Sequence, residues 1–254
     1  MTGASSGIGR AIAIKLADEG AALVLVARDS ERLETLAAEL RARLGTDVEV
    51  LPADLTDRAE LGRVEARLAA APPIDALVNN AGLGTYGEFR TLDPDGEERE
   101  IDLNVVALVR LTRAVVPGLV ERGRGWILNV SSMASLLPTP LNATYGATKA
   151  FVTSFSESLH EELRTSGIKV TAVLPGFTRT EFQERTGLGD TGGMPDFVWQ
   201  SAEDCAAEAV AALAAGRPLV VPGSLNKVAA VLSGVTPRGV RRRLVGRMAG
   251  RFGG

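Results

Sequence analysis

The sequence predicts a doubly wound α/β fold, a parallel sheet held between two helix layers. Three observations lead there. Short apolar runs alternate with amphipathic stretches along most of the chain. Those runs are continuously apolar rather than alternating, as strands covered on both faces are. A glycine-rich segment at residues 2–9 leads directly into a helix-forming stretch.

The elements follow in order. A first helix is expected from Arg10 to Glu19, and Ala21–Ala27 (AALVLVA) reads as a buried strand. Ser30–Leu44 reads as a helix, with Ser30 or Asp29 as its cap, Leu33, Leu36 and Leu40 as its apolar stripe and Gly45 as its stop. Val48–Ala53 is the next strand, Asp57–Ala70 the next helix, and Ile74–Asn79 a strand ending in Asn-Asn-Ala-Gly. A long helix fits Glu97–Glu121. Then come strand Gly125–Ser131, helix Tyr145–Thr165, strand Ile168–Leu174, helix Ala202–Ala215 and the short strand Pro218–Val221. No linker or repeat divides the series. Residues 1–221 therefore read as one domain, with 222–254 a basic helical extension of it.

Composition narrows the function. The 254 residues are 45% hydrophobic and 23% charged, which suits a single large globular domain and excludes global disorder. One Cys and one His leave no intrachain disulfide and no nitrogen and sulfur ligand set for zinc, so no metal is expected. A Ser-His-Asp hydrolase would have to use His160 as its base. A net charge of −3 speaks against nucleic acid as a partner of the whole surface. Six arginines crowd between Arg238 and Arg251 without an acid, so the remaining chain carries −9. Met1 is followed by no signal-peptide pattern. The longest uncharged run, Gly125–Thr148, holds too many Asn, Ser, Thr and Pro residues for a membrane span. A cytoplasmic protein is the expectation.

Thr2-Gly3-Ala4-Ser5-Ser6-Gly7-Ile8-Gly9 has the pattern TGxxxGxG. Glycines let backbone turn tightly and approach a diphosphate, and the next helix offers free N–H groups and the positive end of its dipole. Such a loop ordinarily follows a central strand, and only Met1 and Thr2 stand before it here. The expectation is that roughly five to ten apolar, β-branched residues precede Met1 in the working protein. The alternatives are that another segment fills the gap or that the chain is a degraded copy.

In sum these residues resemble the short-chain dehydrogenases/reductases of about 250 residues. The marks are TGASSGIG at 2–9, Asp54, NNAG at 79–82, Asn104, NVSS at 129–132, YGATK at 145–149 and LPGFTRT at 174–180. The resemblance implies a Rossmann-like fold, a nicotinamide cofactor and interconversion of a ketone or aldehyde with an alcohol, in a homodimer or homotetramer. Tyr145 and Lys149 stand four apart, one turn along a helix face. A phenol with a pKa near 10 parts reluctantly with its proton, and an adjacent ammonium or a cationic nicotinamide favours the phenolate. Tyr145 is thus read as general acid/base and Lys149 as its activator, which by resemblance also holds the nicotinamide ribose. Ser132 would hold the substrate oxygen, Ser131 would be structural, and Asn104 would keep a water in line with Lys149.

By resemblance, the cofactor also meets Thr2, Gly3, Ser5, Ser6, Gly7, Ile8 and Gly9 of the loop. Asp54 and Leu55 would meet the adenine, and Asn80, Ala81 and Gly82 the ribose and diphosphate. Pro175, Gly176, Thr178 and Thr180 would meet the carboxamide. Asp54 could instead cap a helix. At the end of the second strand an acid would bond the ribose of NAD, but Ala27 is followed by Arg28, whose guanidinium can clamp the 2′-phosphate of NADP. NADP(H) is therefore expected over NAD. A solvated loop arginine is the plainer reading.

Leu136, Leu137 and Pro138, with Met194, Phe197, Val198 and Trp199, suggest an apolar lid over an apolar small-molecule substrate, or simple packing. Leu225, Val228, Leu232 and Val235 form one helical stripe in the tail, and Val240, Leu244, Val245 and Met248 another. A basic helix on an anionic membrane surface through 237–254 is one reading. Packing on the lid or on a second subunit is preferred. A non-catalytic nucleotide-binding scaffold is the rival function.

Overall fold

The computed structural model describes residues 1–186 and 195–249. Helix α1 spans Gly7–Asp18, strand β1 Leu23–Ala27, α2 Ser30–Leu44, β2 Val48–Pro52, α3 Arg58–Ala69 and β3 Ala76–Asn79. There follow α4 (Pro94–Ile101), α5 (Leu108–Arg122), β4 (Gly125–Val130), α6 (Ala143–Leu163) and β5 (Ile168–Val173). The short α7 (Phe182–Arg185) precedes α8 (Ala202–Ala215), β6 (Leu219–Val220), α9 (Ser224–Val235) and α10 (Arg238–Ala249). The Gly-rich stretch that includes Met194 lies partly outside the described residues, as do the side chains of Leu244 and Met248.

All strand pairs are parallel. β1 lies on β2, with Leu23 opposite Val48, and β3-β4-β5-β6 form a second sheet. Met1–Ala4 runs between the two. Val26 N donates to Met1 O at 2.9 Å, Ala4 N to Val26 O at 3.3 Å, and Thr2 N to Val78 O at 2.9 Å. Thr2 thereby stitches β1 to β3 directly beneath the glycine loop.

The buried strands draw helices onto both faces. Ile12 of α1 and Ala206 and Ala209 of α8 pack with Val78, Leu128 and Val173 on one side. Leu61 and Val64 of α3 and Leu111, Val115 and Leu119 of α5 pack with Leu77, Ile127 and Val170 on the other. Residues 94–122 are long and apolar enough to cross a membrane. Here, though, the stripe Leu108, Leu111, Val115 and Leu119 is buried in the protein interior.

Of the two caps the sequence offers for α2, Asp29 takes the part, because its carboxylate accepts from Arg32 N at 3.0 Å and Ser30 is already helical. One boundary departs from the sequence expectation for a physical reason. The single helix expected over Glu97–Glu121 starts earlier, behind the Asp93 cap with Pro94 at its first position, and is interrupted. A π-helical segment, Asp102–Ala107, separates α4 from α5. Such widened turns accompany functional sites, and this one carries Asn104.

Candidate active site

A cleft of about 680 Å3 opens at the carboxyl ends of the strands. Gly3, Ser5, Ser6, Gly7, Ile8 and Gly9 line its floor. Gly3 has φ +65°. A Cβ there would stand 2.5 Å from Asn80 Nδ2 and 2.9 Å from the Ala81 backbone, so only glycine lets the loop close on the NNAG turn. Asn80 Nδ2 donates to Gly3 O at 3.0 Å and to Thr2 O at 3.2 Å. Thr2 is buried below the cleft rather than lining it. Its hydroxyl accepts from Asn80 N and Ala81 N, each at 3.0 Å. Thr2 and Asn80 therefore fix the loop's shape. Ser6 opens α1 without a side-chain cap bond, and the first turn holds no acid. A helix start left in this state suits a diphosphate.

Arg28 and Asp54 stand at the far rim with Leu55. Asp54 caps no helix. Its Oδ1 accepts from Thr56 N at 3.0 Å and Thr56 Oγ1 at 2.8 Å. Burial raises its pKa, but the two Thr56 bonds and the charges of Arg28 and Arg99 outweigh that and hold the carboxyl below the usual range. Arg99 lines the same rim, 3.9 Å from Asp54. Nothing local in the sequence marks Arg99, which sits within a charged stretch (GEERE) that resembles any solvated helix face.

The other end of the cleft holds Ser132, Tyr145 and Lys149. Ser132 ends the strand-to-turn segment after β4, its hydroxyl accepts from Ala134 N at 3.1 Å, and it lies near enough to the Tyr145 phenol to favour the phenolate. Tyr145 and Lys149 lie one turn apart on α6, with Lys149 Nζ 5.6 Å from the ring centroid. Nζ donates to Val130 O at 2.9 Å. The helix itself is anchored by buried polar contacts. Ser131 Oγ donates to Lys149 O at 2.8 Å and lies 2.7 Å from Thr153 Oγ1. Ser131 thus has the structural part expected of it. Asn129 Nδ2 donates to Ser156 Oγ at 2.9 Å, and its Oδ1 accepts from Asn79 Nδ2 at 2.9 Å.

Asn104 stands behind the wall. It bonds both backbone groups of Leu83 at 2.9 Å and Thr148 Oγ1 at 3.0 Å. Ala81 and Gly82 line the cleft, and a Cβ on Gly82 would lie 3.3 Å from Lys149 Nζ. Pro175, Gly176, Thr178 and Thr180 form the remaining lip. Asn226 of α9 abuts Gly176, and Arg241 of α10 donates to Leu136 O at 2.8 Å, so the tail packs on the substrate side.

Electrostatics correct one expectation. Lys149 was expected to draw the Tyr145 pKa down. Burial instead pushes Tyr145 up to about 12, against the opposing pull of Ser132 and with a further rise from the Glu100 charge. Burial likewise lowers Lys149 to about 8, partly opposed by Glu100. The lid expectation also changes. The apolar wall is Phe182, whose ring lies 5.7 Å from that of Tyr145. Trp199 packs on Phe177 at 5.7 Å, outside the cleft, and Phe197 is 74% exposed.

One cleft joins a glycine-loop floor to a Ser–Tyr–Lys wall, an arrangement suited to an oxidoreductase that works with a dinucleotide. A family model described as short chain dehydrogenase matches residues 1–190, and the chain belongs to that family, whose members act on CH–OH groups. Among curated relatives, the very-long-chain 3-oxoacyl-CoA reductase of Anas platyrhynchos is 38% identical over 189 residues, 72% of this chain and 60% of that protein. The chain therefore matches less than two thirds of that relative's length. A short-chain dehydrogenase from Sphingobium yanoikuyae, solved in complex with NADPH, is 40% identical with a TM-score of 0.83, covering 94% of this chain and 95% of that one. The bulky-bulky ketone specific alcohol dehydrogenase from Comamonas testosteroni is 33% identical with a TM-score of 0.79, covering 94% of each chain.

Proposed function

We propose that the protein reduces a bulky, apolar ketone with NADPH and oxidises the matching alcohol with NADP+. The observation that carries this reading is the grouping of Ser132, Tyr145 and Phe182 on one wall of a cleft whose far rim holds Arg28. Bound NADPH supplies the hydride. Ser132 holds the carbonyl oxygen. Tyr145, with a pKa near 12, stays protonated at neutral pH and is poised as the acid for the developing alkoxide. Giving up that proton leaves a phenolate. Lys149, at about 8, is the stronger acid, so its proton restores the phenol downhill, and solvent reloads the lysine. The balance is one hydride and one proton added across the carbonyl.

Arg28 clamps the 2′-phosphate in this reading, and the uncapped start of α1 takes the diphosphate. Phe182 against Tyr145 favours an apolar substituent on the ketone. The NADPH complex of the Sphingobium relative and the bulky-ketone specificity of the Comamonas relative support the same choices. The test is a panel of aliphatic, aromatic, steroidal and 3-oxoacyl ketones, followed by loss of NADPH or NADH absorbance. Turnover of bulky apolar ketones with NADPH is expected. Preference for NADH, or turnover of small polar carbonyls alone, overturns the reading.

A further inference from the structure

We infer that Glu100 is a positioning residue of this site: it is the buried counter-charge of the Tyr145–Lys149 pair and fastens the 83–85 loop against that pair. Glu100 lies in the last turn of α4, four residues before Asn104 and on the same face. It is fully buried, a rare state for a carboxylate. Its Oε2 accepts from Thr85 N at 2.8 Å and from Thr85 Oγ1 at 2.9 Å. Its Oε1 is buried without a hydrogen-bond partner among the described residues. A buried, half-bonded acid is unfavourable by itself and calls for a compensating charge.

Among the described residues no ion pair within 4 Å reaches Glu100, and Lys149, likewise buried, is the cation whose field acts on it. The ammonium donates to the neutral Val130 carbonyl, and Glu100 is the acid whose field acts on it. The titratable neighbours of Glu100 are Glu97 on its own helix and Lys149 and Tyr145 on α6. Glu97 accepts hydrogen bonds from Thr85 and Thr144. Glu97 and burial raise the Glu100 pKa, while the Thr85 bonds and Lys149 lower it, with burial the largest effect.

The clamp is mechanical as well. Asn104 grips Leu83 and Glu100 grips Thr85, so two rungs of one helix face hold the intervening Gly84. A Cβ on Gly84 would lie 3.1 Å from Tyr145 Cδ2, so the loop sits directly on the phenol ring. The negative charge favours the ammonium of Lys149 and the neutral phenol of Tyr145 together. Both are the proton-donating forms that reduction needs.

The inference rests on the reduction reading above, and the experiment separates the two. In the wild type, the kcat for ketone reduction should fall as pH rises past about 8, where Lys149 loses its proton. Glu100→Gln keeps an acceptor for Thr85 and removes the charge. Both Lys149 and Tyr145 then release protons at lower pH, and the alkaline limb of kcat should move acidward by about one pH unit. Glu100→Met should shift it likewise, and Glu100→Asp should restore much of the wild-type limb. Glu97→Gln should leave it in place. A purely structural part would lower kcat at every pH and leave the limb unmoved, which overturns the inference. Failure of both the Gln and Met variants to fold also overturns it. A wild type that turns over no ketone rejects the reduction reading instead.

Discussion

The β4–α6 wall of the cleft and the β1–α2 rim use opposite physics. On the wall, Asn129, Ser131, Thr153 and Lys149 are buried and bonded to one another or to backbone. At the rim, Arg28, Asp29 and Arg32 are exposed, and Arg32 pairs directly with Glu181 at 2.7 Å. Buried polar groups hold their geometry because leaving one unbonded is expensive, whereas exposed charges act through a field that solvent screens. Proton transfer needs the first kind of environment. Sorting one dinucleotide from another by a single phosphate needs only the second.

Breaking the wall should therefore have the larger consequences. Tyr145→Phe removes the phenol hydroxyl alone, and kcat should fall by about 10²–10⁴, the range for loss of a general acid. NADPH affinity, measured by fluorescence titration, should stay within about twofold, because the floor and rim are untouched. Retention of more than a few per cent of kcat would show that Tyr145 is not the acid.

Asn129→Leu attacks the wall without touching the cleft. It strips a hydrogen bond from Asn79 and another from Ser156. Each buried group left short costs about 1–3 kcal/mol, so urea unfolding should show a loss in that range or somewhat above it. An unchanged midpoint would mean that the polar ladder between β3, β4 and α6 adds nothing to stability.

The rim gives smaller and more selective effects. Arg28→Ala should reduce the preference for NADPH over NADH by about 10–100-fold, the equivalent of one or two charge-assisted bonds. Folding stability should not move. Raising the salt should weaken the wild-type preference in the same direction, since part of it is a screened field. Equal losses for both cofactors would transfer the selectivity elsewhere, with Arg99 the next residue to test.

Arg32→Ala sharpens the comparison from its weakest side. The Arg32–Glu181 pair is well exposed, and exposed pairs add little. Thermal unfolding should not change measurably, and kcat/KM for NADPH should stay within about threefold. A larger change would mean that the pair closes the rim over the nucleotide.

The sequence by itself determined the strand and helix order, the glycine loop, and the face shared by Tyr145 and Lys149. Periodicity, glycine placement and an i, i+4 spacing are local properties, and local sterics decide them. The glycine loop from Gly3 to Gly9 and the wall residues Ser132, Tyr145 and Lys149 all line one cleft, as the family resemblance of their motifs implied. Besides Arg99, three features escaped it. The π-helical turn at Asp102–Ala107 has no local signature, because a widened turn is chosen by what its side chains reach across the fold. Glu100 reads as one more acid on a charged helix, and only packing reveals that it faces Thr85 and the Tyr145–Lys149 pair rather than water. The direction of the Tyr145 pKa shift was likewise decided in three dimensions. The spacing supplies a neighbouring ammonium, but desolvation depends on everything that surrounds the ring, and here it outweighs the opposing pull of Ser132 and is reinforced by the Glu100 charge.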